Sequence, residues 1–141
     1  MRILFIIILG VSLGCGSKQL ATDTPISKNL AAKVPIVEMN FSKETDAYTI
    51  TDAEVDGKTL RISVSYSGGC DEHTFELFTD GLLMKSLPPK QRFFLKHFAH
   101  EDGCERVIEQ DLAFDLSGTT NAGNTLVLLL QNFDGDLRME F

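Results

Sequence analysis

The stretch Ser67-Gly68-Gly69-Cys70-Asp71-Glu72-His73 joins two segments in which apolar and polar side chains alternate. Before it, every second position is apolar, at Leu60, Ile62, Val64 and Tyr66. After it, Phe75 and Leu77 continue the same period of two. Because successive side chains of a β-strand point to opposite faces, this period is typical of a strand with one buried face. The stretch is therefore interpreted as the connection between two half-buried strands.

Three Asp-Gly pairs, Asp56-Gly57, Asp80-Gly81 and Asp134-Gly135, lie between strand-like segments. Aspartate and glycine suit the two central positions of a type I′ turn, whose twist matches a pair of antiparallel strands. We therefore expect three hairpins. Their strands are 48–55 with 58–66, 73–79 with 82–86, and 125–133 with 136–141.

Two more strands are expected between these hairpins. One is Arg92 to Phe98, which follows Pro88-Pro89, and the other carries an apolar side at Ile108, Leu112, Phe114 and Leu116. The segment 105–111 also has a mild helical preference, which leaves a helical turn there as an alternative. The total of seven or eight short strands predicts an all-β fold, an antiparallel β-sandwich that is Ig-like in general architecture. A small closed β-barrel is the main alternative.

Residues 1–14 have the regions of a secretory signal, with Arg2 as the positive start and an unbroken apolar run from Ile3 to Leu9. The run is far shorter than the roughly 20 residues that span a bilayer. Because it ends in Gly14-Cys15, the segment resembles the signal of bacterial lipoproteins, although the residues just before Gly14 depart from the usual pattern. That resemblance implies a mature chain that begins at Cys15 and is anchored by acyl chains such as palmitate. An ordinary secretory signal with an incidental cysteine is the alternative.

Removal of residues 1–14 leaves 127 of the 141 residues, which is enough for one domain and a tether. Residues 15–33 are mostly small and polar and are expected to be a flexible tether, with residues 34–141 as a single β-domain. Loss of Arg2 changes the formal net charge from −7 to −8, which does not favour nucleic acid as a partner. The expected partners are the membrane, through the lipid anchor, and an envelope protein or a glycan.

Cys70 and Cys104 are the two cysteines of the expected domain and lie 34 positions apart. Two cysteines in an exported chain usually pair, so we expect a disulfide between them. Closing a loop of this length removes chain entropy worth about 3–4 kcal/mol from the unfolded state. Gly68-Gly69 precedes Cys70 and would allow a positive φ or the close approach of a neighbouring group.

A metal site is the alternative interpretation of the same region. The spacing Cys70-x-x-His73 lets both side chains reach one ion from a turn, and His97, His100 and Cys104 would add ligands for zinc or copper. Such a site needs thiolates, whereas exported cysteine pairs are usually oxidised, and no full zinc signature is present. His73 also falls on the apolar face of its strand, which favours a buried histidine. The disulfide interpretation requires no cofactor.

The signatures of enzymes are weaker still. Asp71, Glu72, Glu101 and Asp102 would place carboxylates near one another across the disulfide, although solvated loop charges are more common than acid–base sites. A catalytic pair of His97 or His100 with Asp102 is a third hypothesis. The sequence contains no nucleophile elbow, no His-Glu-x-x-His pair and no phosphate loop, so catalysis is not expected.

The run Ser-Gly-Gly-Cys-x-x-His-x-Phe, followed by a segment with histidine and Asp-x-Cys, resembles a pattern in small uncharacterised bacterial lipoproteins, over about residues 58–117. The resemblance implies an extracytoplasmic β-domain of the bacterial cell envelope and carries over no catalytic residue. The expected function is a membrane-anchored binding or structural module. The alternative function is a metal-handling lipoprotein that uses the cysteine–histidine cluster.

Overall fold

The computed structural model describes residues 32–33, 45–119 and 123–141. Within these ranges the chain forms β1 (Ala32–Lys33), β2 (Thr49–Asp56), β3 (Thr59–Gly68), β4 (Thr74–Met84), β5 (Lys90–Phe98), β6 (Arg106–Asp115), β7 (Thr125–Leu130) and β8 (Leu137–Glu140). This part of the chain holds no helix that is long and apolar enough to cross a membrane. The signal segment 1–14, the lipidation candidate Cys15 and the rest of the tether up to residue 31 lie outside the described residues.

The strands form two sheets, in the orders β1-β6-β3-β2 and β4-β5-β7-β8. Each sheet is open, with an edge strand on either side, and the buried side chains of the two sheets form one core. The prediction of a β-sandwich is therefore confirmed, and the barrel alternative is wrong. Burial of the apolar faces of both sheets is the main source of stability for such a fold.

The core follows the alternation seen in the sequence. Its fourteen buried apolar side chains in the described part of the chain are Leu60, Ile62, Val64, Leu77, Phe93, Leu95, Leu112, Phe114, Leu116, Leu126, Leu128, Leu130, Leu137 and Met139. Leu112 and Phe114 belong to β6, which begins at Arg106 and is paired with β3 along its whole length. The helical alternative for residues 105–111 is therefore wrong, because sheet pairing outweighs a mild helical preference.

Two strand pairings are parallel, whereas the other four are antiparallel. β5 pairs with β7 in parallel because β6, which separates them in sequence, lies in the other sheet and lets the chain return in the original direction. β1 pairs in parallel with β6, with Ala32 opposite Phe114 and Lys33 opposite Asp115. Two residues that the sequence assigns to the tether thus extend one sheet.

The Asp-Gly pairs fold in different ways. Asp56-Gly57 makes the tight turn between β2 and β3, as predicted, and Gly57 has a φ of 58°. Asp134-Gly135 lies in the connection between the antiparallel strands β7 and β8, although β7 ends at Leu130, before the predicted strand end at residue 133.

The predicted hairpin at Asp80-Gly81 is wrong, because this pair forms a bulge inside the continuous strand β4. One carboxylate oxygen of Asp80 accepts a hydrogen bond from the backbone N–H of Leu82 at 3.0 Å. The other accepts from the Arg92 guanidinium at 2.6 Å, across the strand pair. These bonds hold the bulged residues between Thr79 and Leu83 out of the hydrogen-bond ladder with β5, and the chain reverses only after Met84.

The connections alternate between two ends of the sandwich. The β3–β4, β5–β6 and β7–β8 connections meet at one end, where Cys70 and Cys104 are bonded, and we call this the disulfide end. The β2–β3 and β4–β5 connections, the end of β6 and the start of β7 lie at the opposite end, which we call the hairpin end. β1 pairs with the last two positions of β6 and therefore also lies towards the hairpin end.

Candidate functional site

The disulfide between Cys70 and Cys104 ties together two of the three connections that cross between the sheets. Cys70 lies between β3 and β4, and Cys104 lies between β5 and β6. Their Cα atoms are 5.8 Å apart, within the usual range for a disulfide. The predicted pairing is confirmed, and it fixes both crossing segments at the same place.

The side chain of Asp102 holds these two connections together by hydrogen bonds. Its Oδ2 accepts from the backbone N–H groups of Gly69, Cys70 and Asp71 at 2.8, 3.0 and 3.1 Å, and its Oδ1 accepts from Cys104 at 2.8 Å. The positive φ of Gly69, 106°, lets successive N–H groups converge on one anion. The bond from Cys104, followed by that from Asp71, holds the pKa of Asp102 well below its ordinary value. The carboxylate is therefore ionised at neutral pH.

A chain of hydrogen bonds runs from Asp102 through two histidines into the sheet. His73 Nε2 lies 3.1 Å from Asp102 Oδ2, and His73 Nδ1 lies 2.7 Å from His97 Nε2. His97 Nδ1 lies 3.1 Å from the carbonyl oxygen of Ala47. The strand pairing brings the two histidines together. His97 of β5 lies opposite Phe75, the second residue of β4, and His73 immediately precedes β4.

The number of protons in this chain of hydrogen bonds follows from the acceptors at its two ends. The Ala47 carbonyl and the ionised Asp102 carboxylate can only accept, so His97 Nδ1 and His73 Nε2 must each donate a proton. The bond between the two rings needs a third proton. Two neutral imidazoles carry only two, so the fully bonded pair carries one extra proton and a charge that offsets the charge of Asp102.

The extra proton is placed on His73, because the Nε2 of this ring faces the Asp102 carboxylate. Burial is the largest cause of a pKa of His97 below its ordinary value, and the charge of His73 lowers that pKa further, against the opposing bond to Ala47. His97 is then neutral, with its proton on Nδ1, and its Nε2 accepts from His73. His73 donates from both nitrogens and forms an ion pair with Asp102.

Aromatic rings enclose the histidine pair. Tyr66 stacks on His73, with ring centroids 4.6 Å apart, and Phe75 stacks on His97 at 4.5 Å. The Tyr66 hydroxyl donates to Gln110 at 2.9 Å, and burial is the larger cause of its raised pKa, with the charge of Asp102 second. The rings exclude water, which strengthens the ion pair beneath them.

Gly68 makes room for this arrangement. A Cβ atom at Gly68 would lie 2.5 Å from Cε1 and Nε2 of His73, closer than any side chain tolerates. The prediction that Gly68-Gly69 permits close approach or positive φ is confirmed at both positions, by contact at Gly68 and by φ at Gly69.

The five residues of the metal hypothesis do not meet at one point. The ring nitrogens of His73 and His97 bond each other and their outer partners, and His100 Nε2 instead faces the hydroxyl of Thr74 at 2.9 Å, on the surface. One metal-capable group appears in the described part of the chain, in which ligand atoms lie within 4.8 Å of one another: Cys70, Asp102 and Cys104. Because the two sulfurs are bonded to each other, this group offers no thiolate in the oxidised protein.

The four carboxylates at the disulfide end have different environments. Asp71, Glu72 and Glu101 are exposed, whereas the Asp102 carboxylate is fully enclosed. Asp102 reaches His97 only through His73, and both histidines are buried. The arrangement joins the β3–β4 connection, the β5–β6 connection and β5 by hydrogen bonds. The sequence did not predict the hydrogen bonds of this network. It did indicate two of its conditions, the close approach allowed by Gly68-Gly69 and the burial of His73.

Comparisons with known proteins place the fold among bacterial β-proteins. No family model matches the sequence, and no curated protein matches it. A NigD-like immunity protein from Bacteroides caccae has a similar solved structure, with a TM-score of 0.56, 14% identity, and 72% of this chain aligned to 52% of that one. A toxin-related protein from Parabacteroides distasonis gives a TM-score of 0.52 and 20% identity over 79% of this chain and 59% of that one.

A protein of unknown function from Bacteroides vulgatus gives a TM-score of 0.51 and 13% identity, over 79% of this chain and 56% of that one. The chain therefore spans only between 52% and 59% of the length of these three proteins. At such low identities the similarity shows the fold alone.

Proposed function

We propose that the chain is a membrane-anchored extracytoplasmic lipoprotein whose β-sandwich serves as a binding or structural module of the bacterial cell envelope. The observation that carries this proposal is the Cys70–Cys104 disulfide, because structural disulfides form and persist mainly outside the cytoplasm. The lipoprotein-like segment that ends in Gly14-Cys15 supports the anchor. The solved structures that share the fold also come from bacteria.

The outer face of the β6-β3-β2 sheet is the broad surface that we propose for an envelope protein or a glycan. Ser63 and Ser65 occupy its middle strand, and Ser63 donates to Asp111 at 2.6 Å. The carboxylates that flank this strand are Asp52, Glu54, Glu109 and Asp111. Arg61 on the same strand pairs with Glu54, and the remaining negative charge favours a partner with positive charge. Two of the structural neighbours are described as an immunity protein and as toxin related, and a protein-binding role fits both descriptions.

The anchor is tested by expressing the full chain in a bacterium and measuring the mass of its mature N-terminus. The expected result is a chain that begins at Cys15, carries acyl groups and fractionates with membranes. The Cys15→Ser variant should lack the acyl mass and leave the membrane fraction, with the disulfide unchanged. A mature chain that begins elsewhere, or that carries no lipid, overturns the anchor.

Metal handling remains the alternative proposal for the disulfide end. The grouping of Cys70, Asp102 and Cys104 favours it, but binding first requires reduction of the disulfide. Thiol titration of the denatured, unreduced protein separates the two proposals. Two free thiols per chain from these cysteines would favour zinc or copper binding, whereas their absence favours the module held by a disulfide.

A further inference from the structure

The tip of the β4–β5 hairpin exposes apolar side chains to solvent. Six large apolar side chains are exposed in the described part of the chain, and three of them belong to this tip: Leu82 (51%), Met84 (46%) and Leu87 (99%). A fourth, Leu129, lies on β7 opposite Arg92 of β5 and extends the surface along the same sheet. Exposed apolar side chains grouped in this way commonly mark an interaction site.

The same segment is the basic part of an acidic chain. Residues 81–100 contain no aspartate or glutamate, although the whole chain contains 20. Four cationic residues lie in that range: Lys85, Lys90, Arg92 and Lys96. Arg92 pairs with Asp80, just before the range, so the charge at the tip comes from Lys85 and Lys90. Lys85 is exposed at the tip itself, and Lys90 begins β5 just after the reversal. The tip thus combines apolar side chains with positive charge, as in proteins that bind the surface of a membrane.

The tip lies at the same end of the sandwich as β1, the first described strand. β1 lies towards the hairpin end, beside Phe114 and Asp115. Sixteen residues separate Ala32 from Cys15, and a chain of that length spans at most about 60 Å when fully extended. An anchor at Cys15 would therefore keep the tip within reach of the bilayer.

We propose that the β4–β5 tip is a membrane-binding element that inserts Leu87 and its apolar neighbours into the interface of an anionic phospholipid bilayer. Lys85 and Lys90 then contact the phosphate groups, and the disulfide end points away from the membrane. The inference rests on the proposed lipid anchor and adds a second contact to it. The other carboxylates at the hairpin end limit the contact to the β4–β5 tip: Asp56 and Asp115 on the other sheet, and Glu140 at the end of β8.

A bilayer fits this surface better than a protein does. Three apolar side chains at a hairpin tip are few beside the roughly 800 Å² that each partner buries in a typical protein–protein interface. A second copy of the chain would bring the same positive charges to the contact, and like charges repel. Anionic headgroups supply the complementary charge, and a bilayer accepts an apolar tip without a matching pocket.

The chain contains no tryptophan, so a single introduced tryptophan reports on its own surroundings. The mature lipidated chain is reconstituted in vesicles of phosphatidylcholine and phosphatidylglycerol, some of which carry bromine on the acyl chains. The Leu87→Trp variant should show blue-shifted emission and at least twofold quenching by the brominated lipid. Val107→Trp is the matched control, because Val107 is 75% exposed on β6 and lies at the disulfide end. Its emission should not change.

The contribution of the two lysine charges to membrane binding is tested in the Leu87→Trp variant. Replacement of both Lys85 and Lys90 by Gln should weaken the contact about fivefold for each charge removed at low salt. Equal quenching of the Leu87→Trp and Val107→Trp variants overturns the proposal. A blue shift without lipid quenching that grows with protein concentration also overturns it, because it indicates a second copy at the tip.

The anchor and the tip fail in different ways. If the anchor is absent, the protein does not float with vesicles, and this result does not depend on the tip. The unlipidated Leu87→Trp chain is then added to the same vesicles at low salt, and quenching above that of its Val107→Trp control supports the tip. Quenching equal to the control overturns it.

Discussion

Nδ1 of His73 and Nε2 of His97 lie 2.7 Å apart, at hydrogen-bond distance, inside the disulfide end. The bond joins the β3–β4 connection to β5, and the other ring nitrogen of His73 faces the Asp102 carboxylate. Because both outer nitrogens also donate, the pair holds one proton more than two neutral imidazoles.

The first prediction concerns that proton. At pH 7, nitrogen-15 chemical shifts should show both ring nitrogens of His73 protonated and only Nδ1 of His97 protonated. Asp102→Asn should change the signals of both rings, because the acceptor that fixes the proton on His73 Nε2 has lost its charge. His100→Gln, a change at an exposed histidine, is the control and should leave both signals in place. Two neutral rings in the wild-type protein at pH 7 would contradict the assignment.

The second prediction follows from the lowered pKa of His97. Below about pH 6.5 the unfolded chain takes up a proton at this residue that the folded chain does not, so stability falls as pH falls. Between pH 6 and 5 the slope contributed by His97 should be at most about 1.4 kcal/mol per pH unit. Denaturant unfolding at several pH values measures it. The slope should flatten in His97→Gln and persist in His100→Gln.

The third prediction concerns the lowered pKa of Asp102. Its ionised form contributes stability above the ordinary aspartate pKa, near pH 4, and that contribution is lost as the pH falls towards the folded value. Asp102→Asn should therefore lower the melting temperature at pH 7 by several degrees. The difference from wild type should shrink between pH 4 and 2. A difference that stays constant over this range would show that charge is not its cause.

The fourth prediction concerns the disulfide. Joint replacement of Cys70 and Cys104 by serine should lower the free energy of unfolding by about 3–4 kcal/mol, because the unfolded chain regains the entropy of an open loop. Urea unfolding monitored by circular dichroism measures the change. Wild-type protein in excess reductant is the internal comparison and should lose a similar amount. A loss below about 1 kcal/mol would show that the hydrogen bonds of Asp102 hold the connections unaided.

The fifth prediction separates two glycines of the disulfide end. Gly68→Ala should cost about 1–3 kcal/mol, because the new methyl group overlaps the His73 ring. Gly103→Ala should stay within about 0.5 kcal/mol, because no atom lies within 4 Å of its added Cβ. Chemical denaturation of both variants under the same conditions checks the contrast. Equal losses would mean that the histidine moves aside without cost.

Alternation and turn chemistry predicted much of the fold. β3 alternates without interruption, so its buried face was readable from the sequence. Asp56-Gly57 forms the predicted tight turn, because Gly57 adopts the positive φ that the turn requires and β2 and β3 pair up to Asp56 and Thr59. At Asp80 the side chain instead bonds Leu82 and Arg92, and this tertiary contact turned a predicted reversal into a bulge. The parallel pairing of β5 with β7 was equally hidden, because it depends on β6 lying in the other sheet.

The candidate site was only partly predictable. Compartment and cysteine count were enough to predict the disulfide, because pairing depends on redox conditions and spacing. The bond between His73 and His97 depends on the register of β4 against β5, which local sequence does not determine. The role of Asp102 depends on four converging N–H groups, which no spacing rule describes.

The covalent loop between Cys70 and Cys104 has a mechanical consequence. If the chain is pulled from its two ends, β2, β3 and the strands after Cys104 can unravel, but β4 and β5 lie inside the closed loop and bear no tension. The fully stretched length is shortened by about 110–120 Å, the contour of the bypassed residues. Single-molecule force spectroscopy should recover this length as an additional extension once a reductant is present.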